Sequence, residues 1–221
     1  MTYPCRSGTE MNFACFHATK PHQHDAEDWN SPATVEDVLG VLDGFHPVLK
    51  AVVKCADTMK CYVVGHSEPL PKFNNGKVVV IGDTAHPMQP THAQGGAMGL
   101  EDAAALEVLF SNFNPSITTV TEDETVKRLR LFNQLRLPRG NATLLLSNGM
   151  FYNTSENPGS PVPERVREYW SGPFLPKGIE GFSAPIREFF HGYDAFGVAE
   201  KAMRFKDEEG GLPEGVIRHL G

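Results

Sequence analysis

The apolar and polar positions divide the chain into a strand-and-helix region, one sharp strand–turn–helix passage and a long helical remainder. Met11, Phe13 and Cys15 alternate with Asn12, Ala14 and Phe16, which predicts a strand over Glu10 to Ala18, covered on both faces near the middle of a sheet. Thr34 followed by Asp37 resembles a capping box, and Val35, Val38, Leu39 and Leu42 share the helical face behind it. Gly44 suits the stop of that helix, Pro47 suits the first turn of the next, and Met59 to Val64 reads as another strand.

Pro69 to Gly76 is rich in turn formers and delivers the chain into Val78, Val79, Val80 and Ile81, an unbroken apolar run of the kind expected in a buried parallel strand. It ends abruptly at Gly82. Gly96 to Phe110 is helical by composition, with Ala103, Ala104 and Ala105 as a surface for close packing. A second capping box at Thr121 and Glu124 opens a long helix with Val126, Leu129, Phe132 and Leu135 inward, and Pro138 is expected to kink or break it. Many prolines and glycines lie beyond, with short helices predicted near Pro163 to Trp170 and Pro185 to Arg204.

Composition narrows the function classes. With 221 residues and 40% hydrophobic content there is enough apolar material for a real core. A formal net charge of -7 and the absence of a basic run argue against nucleic acid and anionic membrane surfaces as partners. No stretch approaches the roughly 20 apolar residues needed to span a bilayer, and no leader pattern opens the chain, so the expected compartment is cytoplasmic. Cys5, Cys15, Cys55 and Cys61 form no CxxC pair and no disulfide framework. His17, His22, His24, Asp25 and Glu27 match no tight ligand spacing and read as a solvated loop, so no metal site is expected.

Chemistry concentrates between Val78 and Leu106. A strand that ends in Gly82-Asp83 places a carboxylate at the carboxyl edge of a sheet, where open α/β folds bind ligands, and Asp83 suits hydrogen bonding to sugar-like hydroxyls. Gly95 and Gly96 admit a bulky ligand close to the backbone, and the helix they open directs unpaired N–H groups and a positive dipole end at it. Pro87 and Pro90 stiffen the loop between.

The ordered string Gly82-Asp83-Thr-Ala-His86-Pro87-Met88-Gln-Pro90, then Ala93-Gln94-Gly95-Gly96 and Glu101-Asp102-Ala103, resembles the second FAD-binding motif of class A flavoprotein monooxygenases, specifically the salicylate hydroxylase-like group. Similar matches cover nearly the whole chain. Tyr3-Pro4-Cys5-Arg6 with Asn12-Phe13 resembles the substrate-domain strand, and Pro71-Lys72-Phe73 the approach to the motif strand. Leu135-Arg136-Leu-Pro138-Arg139 resembles the arginine-bearing helix after the flavin site, and Tyr193-Asp194-Ala195 the C-terminal signature.

The resemblance implies an α+β fold that is a remnant of an α/β one. It comprises part of the substrate-domain sheet with helices (1–75), an FAD-binding strand–loop–helix (76–112) and a C-terminal helical region (113–221). It implies FAD as cofactor, NAD(P)H as electron donor, and transfer of one oxygen atom of O2 to an aromatic or polyketide-like small molecule, with secondary metabolism as the setting. Asp83 is implied to bind the ribityl chain and the backbone around Gly96 to face the flavin's pyrimidine side, with Gly95, Gln94 and Pro90 as further cofactor contacts. His86 is expected to support the loop, Phe189, Phe190, Tyr193 and Phe196 to pack, and Arg136 and Arg139 are readable as a charged helix face. Two departures from the family pattern are Ala93 and Ala97, where many members have Gly and Asn. No Gly-x-Gly-x-x-Gly occurs, and Asp43-Gly44 ends an amphipathic helix, so the ADP part of FAD has no evident seat in this sequence. The expected alternatives are a second chain that supplies that half, or a non-catalytic remnant or interaction module that does not hold FAD alone.

Overall fold

The computed structural model describes residues 1–17, 32–65, 67–111, 121–152, 162–170, 184–213 and 216. The His-rich stretch, His17 apart, lies outside them. The chain divides into two compact units, Met1–Val64 and Gly65–Gly221.

In the first unit β1 (Thr2–Cys5) and β2 (Glu10–Phe13) form an antiparallel hairpin in which Thr2 faces Phe13 and Cys5 faces Glu10. The strand predicted over Glu10 to Ala18 therefore ends its pairing at Phe13, and it is not covered on both faces, because Met11 is exposed and Tyr3 half-exposed. Helix α1 (Val35–Val41) begins where its cap predicts: the Asp37 N–H donates to Thr34 Oγ1 at 3.1 Å, and the Thr34 N–H donates back to Asp37 Oδ2 at 3.0 Å. That reciprocal pair satisfies two of the amides that a helix start leaves orphaned. Gly44 sits at φ +78, a left-handed position that suits glycine just beyond a helix end. Helix α2 (Pro47–Val53) carries Pro47 in its first turn, where a missing N–H costs nothing. Met59 to Val64 forms no strand; Lys60 alone makes a bridge, to Pro32. Its apolar side chains Tyr62, Val63 and Val64 are exposed, so alternation was present without a neighbouring strand to use it.

The second unit holds β3 (Asn74–Asn75), β4 (Val78–Val79), α3 (Gly95–Phe110), α4 (Glu122–Tyr152), α5 (Val162–Tyr169), α6 (Ala184–His191) and α7 (Ala195–Phe205). The valine run is not a buried parallel strand: β4 pairs antiparallel with β3 through a tight turn at Gly76 (φ +59), and among the described residues it has no other strand partner. Val79 and Val80 pack on the core while Val78 is 67% exposed and Ile81 41%. A continuous apolar run is suited to burial on both faces, but only one face here meets the rest of its unit.

Two apolar clusters bracket the long helix α4. Its N-terminal half contributes Leu131, Phe132 and Leu135 to a core shared with Phe73, Leu109 of α3 and Val198 of α7. Its C-terminal half contributes Leu144, Leu145 and Leu146 to a second, shared with Val166 of α5 and Ile186 and Phe189 of α6. The start shows one half of the predicted capping box, the Glu124 N–H donating to Thr121 Oγ1 at 3.2 Å, while the Glu124 carboxylate accepts Arg128 Nε; acidic residues fill the first turn. Pro138 does not break α4, which is continuous from Glu122 to Tyr152. An internal proline costs about 3 kcal/mol in an unsupported helix. Here Arg136 and Arg139, on either side of it, are both buried and tied to Glu101. Helix α7 starts at Asp194, whose carboxylate accepts the Gly197 N–H at 3.0 Å.

Candidate functional site

The predicted chemistry begins where the backbone leaves β4. Ile81 is extended, and Gly82 then turns at φ +56, a conformation that costs side-chain-bearing residues strain. The reversal is a 3-10 turn over Gly82–Thr84, closed by the Ala85 N–H at 2.9 Å and the His86 N–H at 3.0 Å, both donating to the Gly82 carbonyl. Helix α3 passes close behind: a Cβ built on Gly99 would lie 3.8 Å from Gly82 Cα. Asp83 stands exposed on the arch of this turn, with no hydrogen bond or ion pair to another residue among those described. Its Oδ1 is 3.8 Å from the position a Cβ on Gly95 would take, so the free carboxylate lies beside the first turn of α3.

That first turn is open. Gln94 occupies the N-cap but its side chain makes no cap bond. Its Nε2 donates instead to the His92 carbonyl at 3.1 Å, and the side chain is buried. The leading N–H groups of α3 are thus left for another acceptor, at the positive end of the helix dipole. Gly96 is exposed, and a Cβ built there would meet nothing within 4 Å. The structure therefore brings Asp83, Gly95 and Gly96 together. Gln94 joins them by its backbone, its side chain being turned inward. Pro90 is exposed at the head of a second 3-10 turn, Pro90–His92, that leads to them. Ala93, the link between that turn and the helix, sits at φ +54 and ψ 35. A left-handed backbone favours glycine, so the alanine here carries strain.

Beneath the turn lies a buried ionic network. Asp102 is wholly buried; its Oδ2 accepts the Gly82 N–H at 2.9 Å and bonds His86 Nε2 at 2.8 Å, and its Oδ1 accepts Arg136 Nε at 2.8 Å. Glu101 accepts Arg136 Nη1 at 2.7 Å and Arg139 at 2.8 Å through both Nε and Nη2. Arg139 continues to the Phe189 carbonyl at 2.7 Å and lies 4.1 Å from the Tyr193 ring centroid. Two carboxylates thus face two guanidiniums, the condition under which buried charge is tolerated. Arg136 and Arg139, each 1% exposed, are not a solvated helix face.

Burial pushes the Asp102 carboxyl up, yet the His86 hydrogen bond, the Arg136 charge and the Gly82 N–H together hold it below the usual range. Burial likewise opposes the Arg136 charge, but Tyr193, Glu101 and Asp102 raise it on balance. Burial raises the Tyr193 hydroxyl, with both arginines pulling the other way. His86 must donate from Nε2 to Asp102, and its buried Nδ1 has no partner among the described residues. Facing inward, it supports the loop and is remote from open space.

The adjacent acids at 101 and 102 and two arginines flanking Pro138 were the sequence signal for this network, though only as parts of motif strings. What the exposed arrangement can do is chemically specific. A hydroxylated chain can be held by Asp83, and an electron-rich ring can lie on the open backbone at Gly95 and Gly96 against the helix N-terminus. The residues present therefore fit the ribityl chain and ring of a flavin.

The comparisons with known proteins agree. A family described as an FAD binding domain matches residues 5–113. The FAD-dependent monooxygenase phomE' of Diaporthe leptostromiformis is 32% identical over 204 residues, 91% of this chain and 47% of its own length. Hispidin-3-hydroxylase of Neonothopanus nambi is 36% identical over 137 residues, 62% of this chain and 31% of its own. Among solved structures, a salicylate hydroxylase substrate complex matches the fold with a TM-score of 0.53 at 21% identity, covering 99% of this chain and 46% of that one. The chain spans about half the length of phomE' and of the salicylate hydroxylase chain.

Proposed function

Because the chain belongs to the class A FAD-dependent monooxygenases, we propose that it forms the flavin-ring portion of an enzyme that hydroxylates an aromatic or polyketide-like small molecule. The electron donor is NAD(P)H, the oxidant O2, and the setting secondary metabolism in a soluble, cytoplasmic compartment. The observation that carries this reading is the Asp83 carboxylate, unpaired among the described residues, beside the open first turn of α3. When bound, the flavin supplies electron transfer to oxygen and the oxygenation of the ring.

Each residue then has a task. Asp83 would accept hydrogen bonds from ribityl hydroxyls beside the first turn of α3. The N–H groups at Gly95 and Gly96 would meet the flavin ring at a helix N-terminus, which favours negative charge there. Gln94 takes part through its backbone, its side chain bracing the loop. Pro90 would stiffen the loop beside the cofactor and brings no N–H of its own to that surface.

The share of the relatives covered favours a second component of the reading: the ADP end of FAD is held by protein outside this sequence, whether joined to it or supplied by another chain. Among the described residues the β4 edge away from β3 pairs with no strand and would be open to such a partner. Purifying the chain and recording its visible absorbance, then NADPH and NADH oxidation with a panel of phenolic substrates, tests the whole proposal. A yellow protein with substrate-dependent oxidation supports it. A folded, colourless chain that takes up no added FAD favours the interaction module instead.

A further inference from the structure

One carboxylate closes the candidate cofactor turn at both of its ends. Asp102 Oδ2 receives the Gly82 N–H, where the turn begins, and His86 Nε2, where it ends. Asp83 is carried on the arch between these two anchored points. Asp102 is itself wholly buried and touches no open surface, so any influence it has on a ligand passes through the turn.

Its placement matters as much as its bonds. Asp102 lies on α3, the same helix whose first turn, at Gly95 and Gly96, faces Asp83. A helix is stiff, so a clamp on it fixes the turn against the N–H groups that share the site, and a shift of about 1 Å in such a pairing costs up to a hundredfold in function. Arg136 Nε holds the other carboxylate oxygen, so the clamp cannot swing away. The chain of contacts runs on through Glu101 and Arg139 to the carbonyls of Phe189 and Phe190 on α6.

We propose that Asp102 is a positioning residue: its carboxylate, locked by Arg136, registers Gly82 and His86 against α3 and so aims Asp83 at the first turn of that helix. The inference rests on the reading of that turn as a flavin site. Asp102 contacts no cofactor in this account. It sets where the contacting residue stands.

Asp102→Asn, Arg136→Lys and Asp83→Asn in the full chain test this by two readouts, amide exchange at Gly82 and FAD affinity by quenching of flavin fluorescence. A hydrogen bond to a charged group converts to about tenfold to a hundredfold. Asp102→Asn is expected to speed exchange at Gly82 and weaken FAD by about that factor. Asp83→Asn is expected to weaken FAD while leaving exchange at Gly82 as in the wild type, which a general loss of stability would not do. Equal exchange and equal affinity in wild type and Asp102→Asn overturn the proposal. If Asp102→Asn does not fold, Arg136→Lys keeps the cation but loses the Nε bond, and unchanged exchange at Gly82 in that variant overturns it as well. If neither wild type nor variants bind FAD without the protein that holds its ADP end, exchange at Gly82 alone decides whether Asp102 holds the turn.

Discussion

Gly140 and His86 are in contact so close that a Cβ on Gly140 would stand 2.9 Å from His86 Cδ2 and 3.0 Å from Phe73 Cζ. Both rings are buried, and Phe73 is anchored by its N–H donating to Asn133 Oδ1 at 2.7 Å. Gly140→Ala in a helix gains about 1 kcal/mol of propensity, while overpacking costs about 1–3 kcal/mol. With neither ring free to move, the cost wins. Urea unfolding is expected to show a net loss of up to about 2 kcal/mol.

Ala93→Gly should act in the opposite sense. Ala93 is held at φ +54, where a Cβ costs about 1–2 kcal/mol, and glycine's greater freedom in the unfolded chain returns part of that. A gain of up to about 1 kcal/mol is expected in the same unfolding measurement. A loss would mean that the left-handed turn before α3 is not under strain.

Glu101→Gln removes the charge that faces two buried guanidiniums. Breaking a buried pair from one side costs about 3–5 kcal/mol, because the partners stay buried without compensation. Since Arg139 also binds the Phe189 carbonyl, proteolysis in the α6 region is expected to rise together with the loss of stability. Arg139→Lys is expected to behave like a deletion, since one ammonium cannot reproduce the two-pronged contact with Glu101.

The pH dependence of stability follows from two groups. Asp102 has its folded value depressed, so its contribution is full above the unfolded value of about 3.9 and is lost as pH falls through the lower folded one. Tyr193 has its folded value raised, so its contribution is full below the unfolded value of about 10 and is lost as pH rises beyond it. Thermal melts are expected to be flat, as far as these two groups govern them, between about pH 5 and 9. Loss of the acid limb in Asp102→Asn checks the first assignment, and loss of the alkaline limb in Tyr193→Phe checks the second.

What the sequence made legible was local. Thr34 with Asp37, Pro47 after Gly44, Thr121 with Glu124 and the glycines opening α3 each state a helix boundary within a few residues of chain, and each boundary is where those residues put it. The turn at Gly82 and Asp83 was legible for the same reason. What failed depended on distant residues. The valine run of β4 does not say what covers its faces, so its exposure at Val78 had no signature. Arg136 and Arg139 look like a solvated pair until Glu101 and the Phe189 carbonyl, 35 to 50 residues away in sequence, are brought to them. The same packing carries α4 through Pro138, and the inward turn of the Gln94 side chain follows from its bond to the His92 carbonyl.

Asp83 gives the most direct test of the account. Its side chain is exposed and makes no bond to the rest of the described protein, so Asp83→Asn should leave the unfolding midpoint as it is. FAD titrated against the wild-type chain and this variant, followed by quenching of flavin fluorescence, is expected to bind the wild type and to bind the variant at least about tenfold more weakly, the loss that one charge-assisted hydrogen bond brings. Equal binding by the two chains would contradict the assignment of this turn to the flavin.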